Sequence, residues 1–231
     1  VTGVQTCALP ICALESSSIA IGINSNALKS SSIAIGKSSN ANDSCALAIG
    51  YSAKAGNQAI AIGASSEATQ QHAIAIGCQA TATKTKAIAI GTGANSSGEA
   101  IAIGVEAKAN AGGACGIAIG YQAETNAQNA YAIGSQAKAH ASQSIAIGEQ
   151  AQANEDGQFA VALGYQAKAN YQASYAIGKE ATTDRAGQIK LGKTDVAETW
   201  SSGSVTVASL KYYDSVSDGR QIEWEIGRAH V

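Results

Sequence analysis

The residues able to do chemistry in this sequence are few and scattered. His72 and His140 lie in polar stretches with no carboxylate or cysteine at ligand spacing. They read as solvated surface histidines rather than acid–base groups or metal ligands. Cys45, Cys78 and Cys115 stand far apart, and no Cys-x-x-Cys or Cys/His pair occurs. Small buried or half-buried thiols are expected there, not a zinc site or a disulfide. What recurs is recognition chemistry. Tyr51, Tyr121 and Tyr165 each follow a glycine directly, and Lys54, Lys108, Lys138 and Lys168 each lie four residues beyond one. These seven are the candidate ligand contacts, as an aromatic set and a mildly basic strip. Nothing in the pattern points to a catalytic constellation or a cofactor, so a non-enzymatic protein is expected.

Their shared register comes from a repeat. Ile19-Ala20-Ile21-Gly22 returns in variant form as far as Ile189-Lys190-Leu191-Gly192. The closing glycines are spaced 14, 14, 13, 14, 14, 13, 16, 14, 14, 16, 14 and 14 residues apart. A period this short and regular marks a solenoid. With the glycine as position 0, position −1 is Ile or Leu and position −2 is Ala until Lys190. Position −3 is Ile, Leu or Val except at Tyr131 and Tyr175. Positions +3 and +5 are Ala, Ser or Thr around a polar +4.

Alternation of this kind predicts two short strands per coil, −3 to −1 and +3 to +5, with turns at the glycine and in the polar stretch after +5. Stacked coils give an all-β, parallel β-roll of about 14-residue coils. Twelve coils at about 4.8 Å make a rod of roughly 55–60 Å. The two 16-residue intervals add residues at Asn110-Ala111-Gly112-Gly113-Ala114 and Asn154-Glu155-Asp156-Gly157, where turns absorb them without shifting the strands.

Facing follows from packing large side chains against small ones. With −1 and −3 inside, opposite the small +3 and +5 residues, the −2 alanines line the outer face. Ala20, Ala34, Ala48, Ala61, Ala75, Ala89, Ala102, Ala118, Ala132 and Ala146 are then the candidate interface with other copies, and Tyr131 and Tyr175 are internal. The opposite phase, Ile toward a partner and Ala inside, is also open. A roll this thin is marginal alone, so both phases predict an oligomer.

The chain has 231 residues, a net charge of −2, one Pro, no Met and 5% aromatic residues. Its fifteen Lys and Arg are scattered and balanced by acids, which argues against a nucleic-acid partner. No apolar run approaches the ~20 residues of a membrane helix, and no signal peptide is evident. Thr81, Thr92, Thr125 and Thr182 are out of register, unlike an ice-binding row, and no calcium-binding nonapeptide occurs.

The ends break the pattern. Thr6 to Ile11 back-translates to ACG TGT GCT CTT CCG ATC, whose reverse complement spells Ile226 to His230 and opens a Val codon. Residues 1–11 and 225–231 are therefore expected to be translated sequencing adapter. The expected organisation is adapter and lead-in over 1–15, roll over 16–192, a short β-rich segment over 193–224 and adapter again over 225–231.

Ser18-Ile19-Ala20-Ile21-Gly22, Ser32-Ile33-Ala34-Ile35-Gly36 and Ser144-Ile145-Ala146-Ile147-Gly148 closely resemble the head repeat of YadA-like trimeric autotransporter adhesins. Gly164-Tyr165-Gln166-Ala167-Lys168-Ala169 is similar to the repeat's second half. The resemblance implies a left-handed roll and a homotrimer at the bacterial cell surface or outer membrane. It implies adhesion to a host surface or an extracellular-matrix protein or glycan, with membrane anchoring only through regions outside this sequence. After Gly192 the sequence departs from that family. Gln188-Ile189-Lys190-Leu191-Gly192 followed by Ser217-Asp218-Gly219-Arg220 looks weakly like a phage tail fibre before its chaperone domain. A trimeric tail-fibre segment on a virion is thus the alternative expectation.

Overall fold

The computed structural model describes residues 12–110, 115–154 and 156–193. It is an all-β parallel solenoid of two sheets. The three-residue strands, from Ile19–Ile21 to Ile189–Leu191, form one 13-stranded sheet. The two-residue strands, from Cys12–Ala13 to Lys168–Ala169, form a 12-stranded sheet. Every strand pairs with its equivalent one coil on, as in Ile74↔Ile88, Ala75↔Ala89 and Ile76↔Ile90. Register passes unbroken through both long coils, with Ile101↔Ile117 and Ile145↔Val161. The residues expected to form a β-rich segment at 193–224 lie, apart from Lys193, outside the described residues, as do both expected adapter stretches.

Two four-residue turns per coil join the sheets. One runs from 0 to +3, closed by bonds such as Ala53 N–H to Gly50 O (3.3 Å). The other runs from −7 to −4, closed for example by Ser32 N–H to Lys29 O (3.2 Å). The third residue of the described turns has positive φ, as at Asn24 (57°) and Ser31 (58°), the type II signature, except over 97–100, where the second residue, Gly98 (87°), has it instead. A serine ending either turn also donates its hydroxyl to the turn's first carbonyl. Ser32 Oγ does so to Lys29 O at 2.6 Å and Ser25 Oγ to Gly22 O at 2.9 Å. Ser and Ala therefore exchange freely at these positions.

These turns reverse the expected facing. Ala20, Ala34, Ala48, Ala61, Ala75, Ala89, Ala102, Ala118, Ala132 and Ala146 are all 0% exposed within the single chain. They line the interior with the small −4, +3 and +5 residues and offer nothing to another copy. The −1 and −3 side chains point outward, and Ile21 is 42% exposed. Tyr131 and Tyr175 follow them, half-buried and exposed respectively. The cause is distance. A four-residue turn spans less than about 7 Å between its ends, while sheets packed through large side chains stand about 10 Å apart. Only methyl and hydroxymethyl groups fit. The largest fully buried side chains are Thr125 and Thr183. In the last described coil Lys190, half-buried, takes the −2 position that Ala holds in every earlier coil.

The position-0 glycine is required by close approach. At Gly120, φ is 136° and an added Cβ would lie 2.6 Å from the Gly134 carbonyl carbon. At Gly93, φ is 66° and a Cβ would meet only the Glu106 side chain at 3.6 Å. Gly120→Ala should therefore cost upward of about 3 kcal/mol, strain plus a backbone clash. Gly93→Ala should cost about 1 kcal/mol. Denaturant unfolding of the two variants measures the difference.

Candidate functional site

Two surfaces leave the roll on opposite faces. On the three-residue sheet, the −1 and −3 side chains make a double ladder of Ile, Leu and Val, with two Tyr, along all thirteen strands. The ladder is at least partly exposed throughout, from half-buried members such as Ile74 to Ile189 at 65%. At about 4.8 Å per coil its projected area is on the order of 500 Å², the scale of the largest apolar patch on a typical monomer.

The other face carries the polar outward residues of the two-residue strands. Stacking sets the four candidate lysines in one column, and it does not make a basic strip. Lys54 abuts Glu67, with Nζ to Oε1 at 3.8 Å. Glu124 sits between Lys108 and Lys138, one coil from each. Lys168 lies between Gln152 and Thr182. The alternation was hidden because coil neighbours are 13 to 16 residues apart in sequence.

Lys108 and Lys138 do come together, with Glu106 and Glu124, along an open cleft of about 360 Å³. A smaller hollow of about 140 Å³ lies beside Lys54 and Glu67. His140, expected to have no carboxylate near it, has Glu124 Oε2 at 3.7 Å from its Nε2 across the coil boundary. That is an ion pair when the imidazole is protonated and too long for a hydrogen bond.

Tyr51, Tyr121 and Tyr165 are all exposed at the corner after the glycine, on coils that are not neighbours. Lys37, one coil before Tyr51, places its Nζ 5.9 Å from that ring's centroid. Cys45, Cys78 and Cys115 are exposed rather than buried, because the turn positions they occupy project from the rod. Among the described residues no group of three or more His, Cys, Asp and Glu could hold a metal ion. At the last coil the Lys193 ammonium, hydrogen-bonded to Glu180 at 2.6 Å, holds that exposed carboxyl below its usual range, with Lys179 adding to the effect.

With this geometry in hand, the comparisons with known proteins are decisive for the family. The model of the YadA head domain repeat matches residues 15–39, 55–80, 82–100, 111–137, 126–151, 139–167 and 156–181, well over half of the chain. The chain belongs to the YadA head-domain repeat family. A crystal structure of the collagen-binding domain of the Yersinia adhesin YadA is 22% identical to this YadA-type head. It aligns over 80% of this chain and 78% of its own, with a TM-score of 0.39. No curated protein matches.

The column arrangement makes one electrostatic expectation. Glu124→Lys would place three ammonium groups on successive coils at about 4.8 Å spacing. It should destabilise the head by about 1 kcal/mol at low salt and by less in 0.5 M salt, where the Debye length is only about 4 Å. Melting temperatures at the two ionic strengths test this.

Proposed function

We propose that this YadA-type head is the adhesive part of a trimeric bacterial surface fibre that binds host or matrix surfaces. The Ile ladder is the observation that carries the reading. A continuous exposed apolar ladder along the whole length of the roll marks an interaction surface. A closed rotational assembly covers it while denying the ladder an open-ended partner that would build fibrils. Three copies with their ladders turned to a common axis bury the Ile face and leave the polar face outward. Each half-exposed Ile that becomes buried contributes roughly 1 kcal/mol, against an association cost of about 4–15 kcal/mol. Two large positions per coil over thirteen strands exceed that cost comfortably.

Adhesion then works by repetition rather than chemistry. Equivalent outward columns recur along each rod and again on each of three chains, so weak contacts combine into avidity. The Yersinia domain is described by its binding to collagen, which makes collagen the first coating to test. The tail-fibre alternative draws on Gln188-Ile189-Lys190-Leu191-Gly192, in the last described coil, together with Ser217-Asp218-Gly219-Arg220, which lies outside the described residues.

Light scattering of the intact chain should give three times the monomer mass, and beads carrying it should adhere to collagen- or matrix-coated glass. A stable monomer, or beads that adhere to no matrix coating, would overturn the reading. Ile119 and Ala118 separate the two faces. Ile119→Glu should leave the coil folded and dissociate the assembly. Ala118→Glu should unfold the roll around it, at a cost above about 4 kcal/mol for a charge in a methyl-sized space.

A further inference from the structure

The column at position +2 changes character along the rod. It reads Asn24, Ser38, Ser52 and Ser65 in the first coils, then Gln79, Gly93 and Glu106. Four glutamines follow in succession, Gln122, Gln136, Gln150 and Gln166, before Glu180. The backbone here is left-handed, with φ between 51° and 58° at every non-glycine member. Gly and Asn suit that conformation, and Gln has no local advantage in it. Gln takes the same conformation at Gln58, Gln79 and Gln143 without a ladder, so what sets these four apart is their unbroken succession in one column.

The four amides are held head to tail. Gln122 Nε2 donates to Glu106 Oε2 at 2.7 Å, and Gln136 Nε2 to Gln122 Oε1 at 3.2 Å. Gln150 Nε2 donates to Gln136 Oε1 at 3.0 Å, and Gln166 Nε2 to Gln150 Oε1 at 2.6 Å. Each of the three interior amides spends one N–H and one lone pair on the ladder. One N–H and one lone pair remain on each, fixed in orientation and repeating every coil. Gln122, Gln136 and Gln150 form one wall of the open cleft, and Glu106, Lys108, Glu124 and Lys138 line it with them.

The chemistry of this lining selects a ligand class. Two carboxylates and two ammonium groups cancel, so the cleft attracts no polyanion or polycation. Its lining has no aromatic or aliphatic side chain, so it lacks the anchors of a protein hot spot and the apolar walls of a small-molecule pocket. What it offers is a row of pre-oriented neutral donors and acceptors flanked by strong ones. We propose that this cleft binds a neutral glycan chain lying along the rod. The ligand's hydroxyl and acetamido groups would take up the free amide valences of Gln122, Gln136 and Gln150. The proposal builds on the adhesive reading and gives it a ligand class. The cleft faces away from the Ile ladder and stays open when that ladder is covered.

An amide ladder can also serve only to reinforce stacking. Serine separates the two roles, because Ser38, Ser52 and Ser65 already occupy this column in folded coils. The test uses the intact chain with β-1,4-linked hexamers of glucose and of N-acetylglucosamine, followed by saturation-transfer NMR and titration calorimetry. A heparin fragment and a collagen-type triple-helical peptide are the anionic and protein probes.

The expected result is binding of at least one neutral hexamer, insensitive to salt. The Gln136→Ser/Gln150→Ser double variant should bind about tenfold more weakly, with its melting temperature and assembly mass unchanged. The proposal fails if neither neutral hexamer binds at about 10 mM, if only heparin or only the triple-helical peptide binds, or if the double variant binds as well as the parent. It also fails if the variant loses binding only in step with its stability. Adhesion to a deglycosylated matrix surface without hexamer binding would sink this proposal and leave the adhesive reading standing. Hexamer binding without surface adhesion would do the reverse.

Discussion

Everything in this molecule depends on how close the two sheets stand. Four-residue turns at both ends of each coil hold them within a few ångströms of a backbone-to-backbone limit. The interior that remains admits Ala, Ser and Thr and nothing larger. Close approach explains the glycine column, where the backbone of one coil occupies the space a Cβ would need. It also explains why the large apolar side chains lie outside. A solenoid of this kind solves its own folding with methyl groups and hydrogen bonds, and it leaves its large apolar side chains on the outside of the single chain.

The second constraint is that coils stack in register. Each outward position becomes a column in which a residue type meets its neighbours at strand spacing. A column of one residue is favourable for Ile, which packs on itself, and for Gln, whose amide donates to the next amide. It is unfavourable for Lys, and the +4 column answers by alternating, with Glu67 beside Lys54 and Glu124 between Lys108 and Lys138. The same logic makes the coil, not the residue, the tolerant unit. Extra residues at 110–114 and 154–157 leave the strands paired on either side.

Much of this was legible in the sequence, because the repeat exposes it directly. The period defined the coils, the −3 to −1 and +3 to +5 strands, the inward +3 and +5 residues and the position of the insertions. Facing was not legible. Ile-Ala-Ile alternates with period two and is consistent with either side being inside, and the rule that large apolar residues go inward chose the wrong one. Turn length was the missing term. It was available from the four-residue spacing between Gly22 and Ser25, read as a limit on sheet separation rather than as a place for polar residues. The left-handed positions were hidden for another reason. Asn, Ser, Gln, His and Glu all occupy them, and only Gly93 and Gly187 signal positive φ by type. The alternating charges and the contact of His140 with Glu124 needed the stack itself, since their partners are a full coil away in sequence.

A division of labour follows from these faces. The interior columns can vary only among Ala, Ser and Thr, because a larger gain in volume separates the sheets. The outward ladder keeps to large side chains, Ile, Leu and Val with Tyr131 and Tyr175. The outward +2 and +4 columns carry neither burden. A side chain there changes no interior volume, and its neighbours up and down the column set its energy. Specificity in such a rod is therefore written in runs of consecutive coils rather than in single residues. The stretch from Glu106 to Gln166 is the longest hydrogen-bonded side-chain run among the described residues. A recognition surface built this way gains area one coil at a time, so lengthening the run strengthens binding without redesigning the fold.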